Sequence, residues 1–221
     1  EQNLKYKNKN IQISCDGGAA TGKSTGAKMI AKKYKLKFLS SGLLYRYASF
    51  LIIKYKPKNK LSLLKNSFKK LNYKNLAKIN LHTPEISDYS SILAKNNEIR
   101  KILKRYQINF SKKNKKCCIE GRDISTKILP NSDIKFYFIC NLSVAAKRRY
   151  NELKKIDPKI KLENVKKALK KRDILDINRK HSPLLKHRNS VVIDTGKLNK
   201  QTMLKKMSNS VEKILVKKYG N

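Results

Sequence analysis

The sequence predicts an α/β protein, a five-stranded parallel sheet covered by helices on both faces. Three observations predict it. Short apolar runs alternate along the chain with longer segments whose apolar residues recur at helical spacing. Each short run is bounded by turn residues, as expected of strands buried on both faces. A glycine-rich turn joins the first run directly to the first helix.

The elements follow in order. Residues 11–16 read as a strand, and residues 23–34 as a helix whose Ala27, Ile30, Ala31 and Tyr34 share one side. Phe38 and Leu39 give a second strand. A second helix runs from 42 to about 55 and stops before Pro57, because proline disfavours helical geometry in the residue before it. Residues 58–81 are rich in Lys and Asn with weak periodicity, so they are left as an insert without assigned elements. Thr83 as cap and Pro84 in the first helical position open one long helix through Ile86, Ile92, Leu93, Ile99, Ile102, Leu103 and Tyr106. The basic run 112–116 is a loop. Residues 117–120 and 134–140 are buried strands, 144–155 and 162–176 helices, and 191–194 a fifth strand. A terminal helix carries Met203, Leu204, Met207, Val211, Ile214 and Leu215.

The chain has 221 residues with 39% hydrophobic side chains, enough for a real core and too apolar for wholesale disorder. Its 54 Lys and Arg against 15 Asp and Glu give a net charge of +39. Such a charge suits polyanions. However, 45 of the basic residues are Lys and only nine are Arg, and they are spread evenly together with 21 Asn and 22 Ile. Even scatter resembles a compositional bias more than an arginine-rich nucleic-acid patch, so no specific nucleic-acid partner is expected. The most apolar run, 43–53, is interrupted by Arg46 and too short to span a bilayer, and residues 1–5 lack the apolar core of an export signal. Cys15, Cys117, Cys118 and Cys140 lie in strand-like stretches without Cys-x-x-Cys spacing. They read as small buried residues of a reduced, cytoplasmic protein. His82, His181 and His187 match no metal-ligand spacing.

Gly17-Gly18-Ala19-Ala20-Thr21-Gly22-Lys23-Ser24 fits G-x-x-x-x-G-K-[ST]. Its glycines let the backbone curl so that successive amides face phosphate oxygens, and the following helix aims its positive end at them. Lys23 is placed to reach the β- and γ-phosphates and Ser24 to help hold Mg²⁺. The strand before the loop and the helix after it are the context such a site needs. A nucleoside triphosphate site follows.

Four further segments narrow the class: Ser40-Ser41-Gly42-Leu43-Leu44-Tyr45-Arg46, Glu120-Gly121-Arg122-Asp123, Arg148-Arg149, and Arg172-Asp173-Ile174-Leu175-Asp176-Ile177-Asn178-Arg179 followed by Pro183-Leu184. In this order they resemble the bacterial cytidylate kinases. An enzyme that joins two polyanions needs arginines converging on the gap between the phosphates. Seven of the nine arginines, namely Arg46, Arg100, Arg122, Arg148, Arg149, Arg172 and Arg179, lie in or beside these segments.

The resemblance implies a P-loop kinase fold in one domain, 1–221, with a shortened acceptor-binding insert at 56–85 and a lid at 148–165. It implies transfer of the γ-phosphoryl group of ATP to CMP or dCMP with Mg²⁺, by a monomer. Residues 17–24 and Thr25 would bind ATP. Lys23, Arg122, Arg148, Arg149 and Arg172 would serve catalysis, the lid-foot pair Arg148 and Arg149 reaching the ATP phosphates on closure. Ser41, Arg46, Arg122, Asp123, Arg172 and Asp176 would hold the acceptor's phosphate and sugar, and Ser91, Arg100 and Arg179 its cytosine. Asp16 or Glu120 would join Ser24 around Mg²⁺ through water, unless Asp16 only caps the loop. Longer family members carry a small β-sheet in the insert, and Leu175 and His82 stand where arginine is common. The alternatives are a kinase of UMP and CMP or another small acceptor and, in another class, a basic P-loop protein that binds nucleic acid.

Overall fold

The short apolar runs assemble into one sheet. In the computed structural model, which describes Tyr6 and residues 8–220, the chain forms β1 (Gln12–Gly17), α1 (Lys23–Lys33), β2 (Lys37–Ser40), α2 (Ser41–Tyr55), α3 (Lys60–Lys70), α4 (Pro84–Leu93), α5 (Asn97–Lys113), β3 (Cys117–Gly121), β4 (Ile134–Ile139), α6 (Leu142–Lys154), α7 (Leu162–Asn178), β5 (Val191–Asp194) and α8 (Lys200–Tyr219). Residues 1–5, and with them the expected absence of an export signal, lie outside the described residues. Two compact units result, Glu1–Phe38 with Lys115–Asn221 and Leu39–Asn114.

The larger unit is built on the parallel sheet, in the order β2-β3-β1-β4-β5. Central β1 pairs in parallel with β3, setting Cys15 beside Glu120, and with β4, setting Asp16 beside Tyr137. Ile13, Cys15, Phe136, Phe138 and Ile193 of the sheet are fully buried among Ala27 and Ile30 of α1 and Met203, Met207 and Val211 of α8. A second cluster packs Ala145 and Ala146 of α6 on Val165 and Leu169 of α7 and on Ala19. Alternating strands and helices thus give the predicted five-stranded α/β sheet. No described helix is long and apolar enough to cross a membrane.

The smaller unit is helical, and here the sequence expectations need correction. The insert 58–81 contains α3 and a 3-10 helix, Tyr73–Lys78. Leu64 and Phe68 of α3 are buried, and the Phe68 ring meets Tyr47 at 5.8 Å and Tyr106 at 5.7 Å between centroids. The long helix expected from Thr83 is two, α4 and α5. Asn96 interrupts it because its side chain accepts the Ile99 N–H at 3.1 Å and starts a new helix. That helix continues to Lys113, so the basic loop is shorter than its run of lysines suggests. Of the four cysteines, Cys15, Cys117 and Cys118 are buried, whereas Cys140, just beyond β4, is partly exposed.

The contact between α1 and the sheet yields a stability test. A Cβ on Gly26 would lie 2.6 Å from Cε1 and 2.8 Å from Cζ of Phe138. Gly26→Ala is expected to destabilise the protein by about 1–3 kcal/mol through overpacking. Urea unfolding measures this, and an unchanged midpoint would show that α1 is free to shift on the sheet.

Candidate active site

The phosphate loop lies between β1 and α1. Gly22 caps the helix with φ 78°, a left-handed conformation costly for a residue with a Cβ, and Lys23 and Ser24 begin α1. The Lys23 side chain is buried and ion-paired with Glu120 at the end of β3. Burial pulls the Lys23 pKa down, and the Glu120 carboxylate acts against that shift. Ser24 and Thr25 are exposed on the first turn.

Around the loop the backbone is held by side chains. Thr21 Oγ1 donates to the Gly18 carbonyl at 3.0 Å, and the Ala19 N–H donates to Oδ1 of Asp173 at 2.8 Å. Asp173 comes from α7 and packs so closely that a Cβ on Gly18 would lie 3.0 Å from its Oδ2. Burial raises the pKa of this carboxyl.

Asp16 accepts the N–H groups of Ile124 and Ser125, each at 2.8 Å, and the Ser125 hydroxyl at 2.5 Å. It therefore caps the single π-helical turn Ile124–Ile128 that follows β3 and does not cap the phosphate loop. Burial raises its pKa.

Arg122, one residue beyond β3, donates from Nε to Oδ2 of Asp176 at 2.8 Å, and Arg179 Nη1 donates to Oδ1 at 3.2 Å. Arg179 also donates from Nε to the Ser182 carbonyl. Arg122, Asp176 and Arg179 thus form one cluster, with the charge of Arg172 acting on Asp176 from the same helix. Asp123 is buried at the start of the π-turn. Arg149 pairs with exposed Glu152 at 2.9 Å. Arg148 turns instead to Thr195, with Nη1 on Oγ1 at 2.9 Å and Nη2 on the carbonyl at 2.6 Å. Neither Thr195 nor Asp173's place on the loop is visible in residue spacing.

The remaining predicted residues belong to the smaller unit. Ser41 is buried at the start of α2, and Arg46 of that helix donates to the Leu81 carbonyl at 3.1 Å. Ser91 Oγ donates to the Ser87 carbonyl at 3.4 Å within α4. Arg100 is buried in α5, with Nη1 on the Ala94 carbonyl at 3.1 Å and its guanidinium 5.6 Å from the Tyr45 ring centre.

The chain is similar to known proteins along most of its length. The cytidylate kinase family profile matches residues 13–213. A cytidylate kinase of Bartonella tribocorum is 38% identical over 192 residues, 85% of this chain and 87% of that protein. One from Clostridium tetani is 32% identical over 222 residues, covering 95% and 97%. Among solved structures, an uncharacterized protein from Eubacterium ventriosum shares the fold at a TM-score of 0.55 and 16% identity, covering 93% of this chain and 99% of that one.

Asp176 supplies a pH signature. Burial opposes its charge, but Arg122 and Arg179 outweigh burial and hold the carboxyl below the ordinary carboxylate range. Such a group binds fewer protons folded than unfolded. Its stabilisation is complete above the unfolded pKa and is lost as pH falls through the folded one. Asp176→Asn is therefore expected to lower stability to urea at neutral pH, and the difference from wild type should shrink in acid below about pH 4. A difference that stays constant into strong acid would show that the arginines do not stabilise the charged form.

Proposed function

The chain belongs to the cytidylate kinase family, and from that premise we propose that it transfers the γ-phosphoryl group of ATP to CMP, and to dCMP, giving ADP with CDP or dCDP. One observation carries the reading beyond the family name. The loop 17–24 joins the end of β1 to the start of α1, and its lysine is buried beside a carboxylate at the edge of the sheet where open α/β folds bind ligands.

The chemistry asks for positioning and charge neutralisation more than for a nucleophile or base. The loop amides other than that of Ala19, which Asp173 holds, and the positive end of α1 would receive the ATP phosphates, with Lys23 at the β- and γ-phosphates. Arg122 and Arg172 are proposed to grip the acceptor phosphate beside Asp123, Asp176 to take the ribose hydroxyls, and Arg179 the cytosine. The Asp176 carboxylate keeps two of these arginines oriented before a nucleotide arrives. In the smaller unit Ser41, Arg46, Ser91 and Arg100 are proposed as acceptor-binding residues. Of the expected lid pair Arg148 and Arg149, Arg149 is proposed to reach the phosphates on closure, while Arg148 is held on Thr195; closure keeps water from the transferring group.

Mg²⁺ prefers oxygen ligands and keeps several waters, relying on one or two carboxylates and on substrate phosphates. The exposed Ser24 hydroxyl and the Glu120 carboxylate suit an ion that arrives with ATP, whereas Asp16 is committed to the π-turn. Bound there, the ion would neutralise phosphate charge. The four free thiols support the reducing cytoplasm as the compartment.

A coupled assay of ADP release with CMP, dCMP, UMP and AMP tests the proposal. Turnover is expected with CMP and dCMP and much less with UMP. No ADP from any monophosphate would overturn the kinase reading, and equal use of UMP would remove the cytosine assignment. Lys23→Ala should lower kcat by about 10²-fold or more. Arg179→Ala should chiefly raise the KM for CMP.

A further inference from the structure

The sequence motif ends at Ser24, but the loop it describes is held by a side chain that enters from the far end of the chain. We propose that Thr195 is a positioning residue of the triphosphate site and that Arg148 acts on the loop through it; this deepens the ATP-site reading above and rests on it.

Thr195 follows β5 directly, and its N–H donates to the Ile139 carbonyl at 3.0 Å, which fixes it beside the end of β4. The residue is 3% exposed. Its Oγ1 donates to the Thr21 carbonyl at 2.7 Å. The described residues contain no cis peptide bond. In the planar trans unit joining Thr21 to Gly22, carbonyl and N–H point in opposite directions. Holding the Thr21 carbonyl toward Thr195 therefore turns the Gly22 N–H the other way, to the inner side of the loop. The methyl group contributes as well: Thr195 Cγ2 lies 3.3 Å from where a Cβ on residue 22 would stand.

Arg148 keeps the hydroxyl in the role of donor toward the loop. A hydroxyl has one proton to donate, and a guanidinium only donates. With Arg148 Nη1 donating to Oγ1 and Nη2 to the Thr195 carbonyl, the hydroxyl's own proton is left for a carbonyl, and that of Thr21 at 2.7 Å is far better placed than that of Ile139 at 3.5 Å. Arg148, Thr195 and Thr21 form a relay in which a charge on α6 orients an amide of the phosphate loop.

Thr195→Val keeps the side chain's shape and removes the hydroxyl, whereas Thr195→Ser keeps the hydroxyl. Calorimetric titration with ATP and Mg²⁺ should show binding weaker by about tenfold in the valine variant and within about threefold of wild type in the serine variant. The KM for CMP should change less than about twofold, as expected if the defect is confined to the loop. Valine binding ATP as wild type does, or serine as impaired as valine, would overturn the hydroxyl's role. Arg148→Met should weaken ATP binding in wild type but add little to Thr195→Val, and fully additive losses would overturn the relay. If the valine variant does not fold, Thr195→Ala takes its place against Thr195→Ser. A wild type that binds ATP without using CMP would defeat the proposed reaction while leaving this test readable.

Discussion

The ion pair between Lys23 and Glu120 is the contact around which the larger unit is arranged. An ammonium buried at the end of a sheet is costly unless a carboxylate meets it, and such a pair adds little stability by itself. Its value is to keep a positive charge waiting where water is scarce. Three features of the fold must coincide for this. Glu120 must end a strand adjacent to the one that feeds the loop, which the β1–β3 pairing achieves by setting it beside Cys15. Lys23 must begin the helix after the loop. The backbone beyond Glu120 must be held in place, and Asp16 holds it by accepting the Ile124 and Ser125 amides. Arg122 leaves the sheet there and meets Asp176.

Charge is distributed by the same logic. Five of the fifteen acidic residues, Asp16, Glu120, Asp123, Asp173 and Asp176, lie at the phosphate loop or in the segments that support it. With so few carboxylates in a chain of net charge +39, their concentration there marks the site more sharply than the basic residues do. The lysines elsewhere are mostly solvated. Their physical effect is long-range attraction of anionic nucleotides, which salt screens over about 10 Å. The arginines are few and are placed where a planar fork can hold two partners at once, as Arg148 does on Thr195.

Most of the fold was legible because the strands are short apolar runs and α1, α2 and α8 carry clear apolar stripes. The smaller unit was less so, for a compositional reason. Asparagine is too common in this chain to mark helix starts, yet Asn59, Asn72 and Asn96 cap helices by accepting the amides of Ser62, Lys74 and Ile99. The stripe of Leu61, Leu64 and Phe68 in α3 is present but diluted by lysine. Between α4 and α5 the apolar spacing continues across the break, so periodicity alone joins two helices that Asn96 separates.

The site was legible in its charged residues and illegible in its supports. A loop that binds phosphate must present N–H groups inward, so its carbonyls must point outward and be satisfied there. Two of those carbonyls are held by threonine hydroxyls, Gly18 by Thr21 inside the motif and Thr21 by Thr195 from the end of β5. The motif records the first because it is local. It cannot record the second, which joins positions 174 residues apart and exists only once β4, β5 and α6 have packed. A phosphate loop of this kind takes its glycines and lysine from eight consecutive residues, but the directions of its amides come from the completed sheet. Motif recognition therefore marks the candidate site, while the hold on its Thr21 carbonyl belongs to the fold of the whole larger unit.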